Sequence, residues 1–326
     1  DRSDTDNDGQ GDFCDADDDN DGIEDAKEEV DGTNPKDAGS FLFTLQSPTY
    51  AKYNTFLGQS NYLELVSVGT ATVKAWVTVY SLTGKVVGQS RRYFKLTPGQ
   101  QVDVDIVSWV NKPDTYGLIK VEFNNTTPGA SLAGRISMYR EGSLEEGAPL
   151  GESTFSFAFA RDFKNAATGR TYAISDTRSS DSISPAVDNW IELINLAGSK
   201  KTFTVKLYNA SGTLMSKVTK TVNAYGEIDI AGGQQYGQGV FLVEITPSSA
   251  TSRYMASVTR YSTTDGATFN YATTVDARKA TGEKLYVPVS KESGPYFIKA
   301  SEIGIVNTLS TSTSAVVKFR DIKGAV

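Results

Sequence analysis

NYLELVSVGTATVKAWVTVYSLTGKVV (Asn61–Val87) and NWIELINLAGSKKTFTVKLYNASGTLM (Asn189–Met215) are two versions of one pattern. Within each, apolar residues alternate with polar or small ones, over Thr72–Tyr80 in the first and Thr202–Tyr208 in the second. This period of two is typical of a β-strand with one buried face. A Thr-Gly or Ser-Gly turn signal follows each run. The pattern therefore predicts antiparallel strands joined by tight turns.

The similarity between the two copies continues beyond these stretches in the same order along the chain. The matching segments are VDVDI (102–106) with EIDI (227–230), GLIKVEF (117–123) with GVFLVEI (239–245), and ISMYR (136–140) with VTRYS (258–262). A match that runs in order over a whole unit indicates a tandem duplication. Several strands per unit without a long helical pattern predict a mainly β protein made of tandem antiparallel, Ig-like β-sandwich domains.

A third, shorter copy of the pattern occupies Ser301–Val326. We therefore predict four segments: residues 1–40, a calcium-binding segment; 41–168, the first sandwich; 169–292, the second; and 293–326, a partial third repeat. The third copy contains only the opening strands, predicted at Glu302–Asn307 and Ala315–Arg320. An isolated hairpin is marginal in water. We expect these strands to be completed by further chain, by the second sandwich or by a neighbouring subunit. If the chain ends at Val326, we expect Ile303, Ile305, Val317 and Phe319 to be buried by another chain.

Charge and composition exclude several classes of function. Residues 1–40 hold sixteen acidic and three basic side chains, whereas the rest of the chain is mildly basic. No dense Lys/Arg stripe indicates nucleic-acid binding, and no apolar run approaches the ~18 residues of a membrane span. The chain has no histidine and one cysteine. This excludes Ser-His-Asp and Cys-His nucleophile systems, His-ligated zinc and His-ligated haem.

The acidic segment repeats the ligand spacing of a calcium loop. Counting from Asp4 and from Asp17, carboxylates stand at positions 1, 3, 5, 9 and 12, with glycine at position 6. The predicted Ca²⁺ ligands are Asp4, Asp6, Asp8, Asp12 and Asp15 in the first loop, Asp17, Asp19, Asp21, Asp25 and Glu28 in the second, and the backbone carbonyls of Gln10 and Ile23 at position 7. The alternative is a disordered acidic tail, which gives no reason for glycine to recur at the same offset.

These residues carry a resemblance to a known family. DTDNDGQGDFCDADDDNDG and the exit DGIEDAKEEVDGTNP resemble the bacterial form of the thrombospondin type 3 repeat, over about residues 1–37. The resemblance implies a chain that wraps on a string of Ca²⁺ ions, with Cys14 paired to a cysteine in a preceding repeat. Position 8 departs from an EF-hand, because Gly11 and Glu24 stand where an apolar residue is usual.

The repeated units are similar to the tandem "N-x-W-x-x-L-x-N…Y-x-x-x-G" sandwich repeats of bacterial surface proteins, on the two stretches quoted first. This resemblance implies a secreted bacterial location and no activity.

The body of the chain contains paired carboxylates but no set of nucleophile, base and orienting group. Asp103/Asp105 and Glu227/Asp229 each share one face of a strand, and we expect a solvated face rather than the acid pair of a glycosidase. Asp162 and Asp276, beside or near arginines, are expected to form ion pairs or turn caps. Glu64 and Glu192 lie near Lys74 and Lys201 in sequence, which leaves an isopeptide bond as an alternative. Apolar strands carry Trp76, Trp190 and Tyr62, expected to pack in the core rather than to form a ligand platform.

Together these observations predict an extracellular or cell-surface structural protein of bacterial type that is not an enzyme. A calcium-stiffened connector would lead into tandem sandwiches that act as a stalk, surface layer, filament subunit or adhesin. Its partners would be Ca²⁺ and other copies of itself or other surface proteins. The alternative is a glycan-binding module, using Tyr116, Tyr225 or Tyr236, or an accessory region of a secreted hydrolase.

Overall fold

The alternating runs of the sequence form strands throughout the part of the chain that the computed structural model describes. That part comprises residues 3–21, 23–31, 33–37, 48–88, 91–124, 126–141, 155–162, 164, 166–177, 186–232, 237–263, 269–280, 293–294, 297–298, 305 and 307–318. By its contacts the chain divides into two units, Asp1–Arg278 and Lys279–Val326. The larger unit contains two β-sandwiches and the acidic segment, which ends in a short helix α1 (Asp25–Asp31).

The first sandwich is made of eight antiparallel strands in two sheets of four. The strands are β1 (Thr49–Asn54), β2 (Ser60–Ser67), β3 (Val73–Ser81), β4 (Arg92–Leu96), β5 (Gln101–Asp105), β6 (Tyr116–Phe123), β7 (Leu132–Glu141) and β8 (Phe155–Asp162). One sheet has the order β1-β6-β3-β4 and the other β5-β2-β7-β8. A 3-10 turn (Phe56–Gly58) and a helix α2 (Ile106–Val110) connect strands.

The second sandwich repeats this topology. Its strands are β9 (Thr171–Thr177), β10 (Ala186–Asn195), β11 (Lys201–Asn209), β12 (Leu214–Val222), β13 (Glu227–Ala231), β14 (Gly239–Pro247), β15 (Tyr254–Thr263) and β16 (Phe269–Asp276). The sheets have the orders β9-β14-β11-β12 and β13-β10-β15-β16. The predicted fold class, mainly β with tandem antiparallel sandwiches, is confirmed; the segment boundaries stay predictions.

The inward faces of the strands form one apolar core in each sandwich. Leu63, Leu65, Val77, Val79 and Ile119 are among the buried residues of the first core. Ile191, Leu193, Val205, Leu207 and Val243 occupy the second. These side chains are the apolar members of the alternating runs, so the sequence period predicted both cores.

Strand β3 departs from the alternation because it is buried on both faces. Val77 and Val79 point into the core, yet Trp76 and Tyr80, on the opposite face, are 1% and 9% exposed. The acidic segment covers Trp76 and the second sandwich covers Tyr80. The expectation that Trp76, Trp190 and Tyr62 pack in a sandwich core is therefore wrong. Trp76 is buried, but outside the sandwich core. Trp190 is only half-buried, and Tyr62 is 38% exposed.

An apolar cluster joins the two sandwiches. Tyr50, Tyr80 and Leu118, on the outer face of the β1-β6-β3-β4 sheet, are buried against the second sandwich. The second sandwich contributes Ile194, Leu196, Tyr225 and Met255. Tyr80 stacks on Tyr225 with 4.7 Å between ring centroids. We call this group the interface cluster.

Beside it lies a buried group of charges, which we call the Lys52 cluster: Lys52, Arg161, Glu192, Glu227 and Asp229. Lys52 Nζ is 2.8 Å from Glu192, 2.6 Å from Glu227 and 3.2 Å from Asp229. Arg161 Nη2 is 2.6 Å from the second oxygen of Glu192. Both cations come from the first sandwich and all three carboxyls from the second. The cluster therefore holds the two sandwiches together across desolvated charges.

Glu227 and Asp229 correct the expectation of a solvated face. Glu227 is 2% exposed, because the strand face that carries it is covered by the first sandwich rather than by water. Asp103, which matches Asp229 in the sheet register, and Asp105 are exposed. Asp105 caps α2 by accepting a hydrogen bond from the Val107 backbone N–H at 2.9 Å. The alternative of an isopeptide bond considered Glu64 with Lys74 and Glu192 with Lys201, but both carboxylates form ion pairs with other residues. Their cationic partners are Arg135 for Glu64, and Lys52 and Arg161 for Glu192. The ion pair expected of Asp276 forms with Lys164 at 2.8 Å.

The Lys52 cluster contains one more carboxyl than cations, and this predicts a dependence of stability on pH. Burial and the carboxylates of Asp229 and Glu192 raise the pKa of Glu227 well above its ordinary value. A carboxyl whose pKa is higher in the folded state holds a proton that the unfolded chain releases, so its contribution to stability falls as the pH rises above the ordinary value. We expect Glu227→Gln to flatten the decline of the unfolding free energy between about pH 5 and pH 9, measured by denaturant titration. An unchanged pH profile would show that Glu227 is ionised in the fold.

The smaller unit contains a short antiparallel pairing of β17 (Ser293–Gly294) with β18 (Phe297–Ile298). The strand predicted at Ala315–Arg320 is wrong where the structure describes it, because residues 315–318 form no strand. Ile305 and Val317 are 57% and 45% exposed in this chain, so their burial by another chain stays a prediction. Ile303 and Phe319 lie outside the described residues. Across the described part of both units, no helix has the length and apolar character to cross a membrane.

Candidate metal centre

The acidic segment contains turns in which an aspartate accepts a hydrogen bond from the backbone two residues on. Asp6 accepts from Asp8 N, Asp8 from Gln10 N, Asp19 from Asp21 N and Asp21 from Ile23 N, at 2.7–3.1 Å. Aspartate favours this local pairing over regular secondary structure. The turns bring alternate side chains to the same side of the chain, as the spacing predicted.

Two groups of carboxylates result. Asp4, Asp6 and Asp8 form the first acidic site, and Asp17, Asp19 and Asp21 form the second; within each, one ligand atom per residue lies within 4.8 Å of the others. These are positions 1, 3 and 5 of the two predicted loops. Carboxylate oxygens at this spacing are the ligands that Ca²⁺ prefers.

Glu28, on helix α1, lies close enough to the second site for its charge to raise the pKa values of Asp19 and Asp21. Its side chain is fully buried and neither carboxylate oxygen has a hydrogen-bond partner among the described residues. Thr33 lies nearby, but its hydroxyl donates to the backbone carbonyl of Glu28 at 3.3 Å. One oxygen each of Asp19 and Asp21 is likewise buried without a hydrogen bond. Buried carboxylate oxygens without partners are costly, and a divalent cation bound between them would satisfy all of them.

The electrostatics of the second site agree with its geometry. Burial, with the carboxylate of Asp21, raises the pKa of Asp19 to about 7. Burial, with the carboxylate of Glu28, raises the pKa of Asp21 to about 6. A bound cation offsets both causes, because its positive charge stabilises the ionised carboxylates. The residues present therefore fit a Ca²⁺ ion.

The structure places the remaining predicted ligands differently. Asp12 accepts hydrogen bonds from Thr5 N at 2.8 Å and from Lys36 Nζ at 2.5 Å. The hydrogen bond from Lys36 lowers the pKa of Asp12. Asp25 accepts from Asp18 N, and Asp15 from Asp17 N. Each of these three carboxylates therefore accepts a hydrogen bond from the backbone or from Lys36 through at least one oxygen. The backbone carbonyls of Gln10 and Ile23 stay predicted ligands.

The second site is docked on the first sandwich, which the sequence did not reveal. The indole N–H of Trp76 donates to the backbone carbonyl of Asp21. Arg91 Nη1 lies 4.0 Å from the Asp21 carboxylate, and its guanidinium lies 4.9 Å from the centroid of the Trp76 ring. Ile23 is 5% exposed. The second site thus touches the outer face of β3 and the chain just before β4.

The first site is more open to solvent. Asp8 is exposed, as are the neighbouring Phe13 and Cys14; Phe13 reaches 89% exposure. Cys14 is a free cysteine in this chain, and its pairing with an upstream repeat stays a prediction of the family resemblance. The two sites therefore differ in burial although their ligand spacing is the same.

Comparisons with known proteins give no assignment. No family model and no curated protein matched the chain. Among solved structures, the chain is similar to a glycosyl hydrolase family 2 member from Bacteroides cellulosilyticus DSM 14838. The sequence identity is 9%, the match covers 71% of this chain and 28% of that chain, and the TM-score is 0.15. A Bifidobacterium dentium beta-glucuronidase complexed with coumarin-3-O-glucuronide shows 11% identity over 70% of this chain and 38% of that one, TM-score 0.15.

A putative beta-galactosidase from Bacteroides fragilis shows 13% identity over 78% of this chain and 35% of that one, also with a TM-score of 0.15. The chain thus spans well under half of each of these proteins. TM-scores this low carry no argument about function.

Proposed function

We propose that this chain is a calcium-stabilised extracellular structural protein, in which the acidic segment binds two Ca²⁺ ions and leads into tandem sandwiches. The observation that carries the proposal is the buried Glu28 carboxylate, which has no hydrogen-bond partner among the described residues and lies close enough to the second site to raise the pKa values of Asp19 and Asp21. Calcium would neutralise the segment and hold it on the first sandwich.

The need for a cation follows from the number of charges brought together. Two carboxylates ~4 Å apart repel by ~1 kcal/mol even in bulk water, and by more where water is excluded. Each site collects three aspartates within one small volume. Divalent cations with carboxylate-rich loops are the common solution to this repulsion.

Isothermal titration calorimetry of the full chain tests the proposal. We expect two Ca²⁺ ions per chain, with Glu28→Gln weakening only the second site. Asp6→Asn combined with Asp8→Asn should weaken only the first. Asp114→Asn, which neutralises an exposed carboxylate in the turn before β6, is the matched control and should leave both sites unchanged. Absence of calcium uptake at millimolar concentration would contradict the proposal.

The alternative function is a glycan-binding module or an accessory region of a secreted hydrolase. The names of the similar solved structures are compatible with it, although their TM-scores do not argue for it. Two of the tyrosines considered for glycan binding are engaged in the protein: Tyr225 stacks on Tyr80, and Tyr116 lies 5.0 Å from Lys52 Nζ. Tyr236 lies outside the described residues. Retention of the full chain on insoluble polysaccharides, lost on substitution of an exposed aromatic residue, would favour this alternative.

A further inference from the structure

The interface between the two sandwiches provides a template for a second contact. In that interface the outer face of the β1-β6-β3-β4 sheet, carrying Tyr50, Tyr80 and Leu118, is covered by the outer face of the β13-β10-β15-β16 sheet. Tyr50 and Leu118 are 1% and 0% exposed as a result. Because both sandwiches have the same topology, each has a counterpart of both faces.

The second sandwich carries the same three residue types on the counterpart of the covered face. In the registers of the two sheets, three pairs are equivalent: Tyr50 with Tyr172, Tyr80 with Tyr208, and Leu118 with Leu242. Leu118 lies opposite Tyr80 in the first sandwich, and Leu242 lies opposite Tyr208 in the second. The three residues of the second sandwich are only half-buried. We call this surface, made of Tyr172, Tyr208 and Leu242, the leading face.

The first sandwich carries the counterpart of the covering face. Ile194 lies opposite Glu227 and Met255, and its equivalent Val66 lies opposite Gln101 and Ala133. Val68 stands where Leu196 stands in the second copy, and it is 57% exposed. Ile194, Leu196 and Met255 are therefore each matched by a smaller apolar residue, whereas Gly99 stands where Tyr225 stacks on Tyr80. We call this surface, made of Val66, Val68 and Ala133, the trailing face.

We propose that the leading face of one chain binds the trailing face of a second copy, so that chains associate head to tail by repeating the contact between their own two sandwiches. Such a contact joins two different surfaces and leaves one of each free at the ends, so it extends into an open chain unless its rotation closes a ring. The inference deepens the proposed structural function by naming the partner. Its test reads self-association and not calcium uptake, so either can fail alone.

The two faces carry fewer unpaired charges than the internal interface, and the charges of the leading face include the ion pair of Lys206 with Glu244 at 2.9 Å. Where the first sandwich has Lys52, the leading face has Ile174, and where the second has Glu227, the trailing face has Gln101. The buried cation and the surplus carboxyl of the internal interface are thus both absent.

The two carboxylates that remain on the trailing face already have partners on that face. Arg135 lies 2.5 Å from Glu64, and the Gln101 side chain donates to Asp103 at 2.8 Å. Docking against the apolar Ile174 would therefore leave neither carboxylate without a hydrogen bond. This matters because an unpartnered buried carboxylate would oppose the contact.

Sedimentation velocity of the full chain tests the proposal. We expect the weight-average mass of the wild type to rise between about 1 μM and 1 mM, the range of a modest interface. Tyr208→Lys should block the leading face and Val68→Asp the trailing face, so each variant alone stays monomeric. An equimolar mixture of the two should form a dimer, because one free face of each kind remains.

Thr221→Lys, on the edge strand β12 of the same sheet, is the matched control and should associate like the wild type. Circular dichroism of each variant checks that it folds. A wild type that stays monomeric throughout would overturn the proposal. So would a mixture of the two blocked variants that fails to dimerise. If the third copy within the same chain covers the leading face instead, the wild type stays monomeric while Tyr208→Lys lowers its stability, and the second-copy partner is wrong.

Discussion

Replacing Lys52 by methionine is expected to lower the unfolding free energy by about 3–5 kcal/mol, the usual result of removing one partner of a buried charge group. Lys52 is 2% exposed and its ammonium lies between the carboxyls of Glu192, Glu227 and Asp229. Without it, Arg161 is the only cation of the cluster that remains beside them. Denaturant titration followed by circular dichroism measures the loss.

Lys206→Met is the matched control. Lys206 also forms an ion pair at 2.9 Å, with Glu244, but its side chain is 27% exposed. An ion pair so open to water is expected to contribute roughly 0–1 kcal/mol. Equal losses for the two variants would contradict a role for the Lys52 cluster in holding the sandwiches together.

The loss for Lys52→Met should also be recoverable by removing the surplus charge. Adding Glu227→Gln replaces one buried carboxyl by an uncharged side chain of the same shape, so the double variant should be more stable than Lys52→Met alone. A double-mutant cycle measures this coupling. Additive effects would indicate that Lys52 and Glu227 do not interact in the folded protein.

Chelation of calcium is expected to release residues 4–28 from the first sandwich while both sandwiches stay folded. Calcium at 100 times its dissociation constant would stabilise the docked segment by about 2.7 kcal/mol, and chelation removes this together with the neutralisation of the crowded carboxylates. Two consequences follow at Trp76: its indole loses the Asp21 carbonyl, and its ring becomes exposed to water.

Two measurements check this release. Hydrogen exchange should accelerate in residues 4–28 on adding EGTA, with the strands of both sandwiches unchanged. Tryptophan emission should shift to longer wavelength, and this shift should become smaller in Trp76→Phe, because Trp76 contacts Asp21 directly. The remaining shift comes from Trp109, which lines the same cavity as Asp6, Asp8 and Asp19. Unchanged protection of residues 4–28 after chelation would show that the segment does not need calcium.

The strand pattern and the loop spacing are local properties, and the sequence was sufficient for both. Alternation at Thr72–Tyr80 and Thr202–Tyr208 predicted strands that the structure places at β3 and β11. The spacing of Asp4, Asp6 and Asp8, and of Asp17, Asp19 and Asp21, predicted the two groups of carboxylates that the structure brings together. Residues one to four positions apart are held close by the chain itself, so their spacing alone determines whether they meet.

Other features depend on which surfaces cover one another, and only the tertiary structure decided them. The alternation of Glu227 with apolar residues predicted a solvated carboxylate. In the structure it is buried against Lys52, which lies 175 positions earlier in the chain. The strand pattern predicted Trp76 as a core residue, but it lies under the acidic segment. The period of a strand distinguishes its two faces but does not specify what covers the outer one. That depends on contacts between segments far apart in sequence, whose burial and charge balance exist only once the chain has folded.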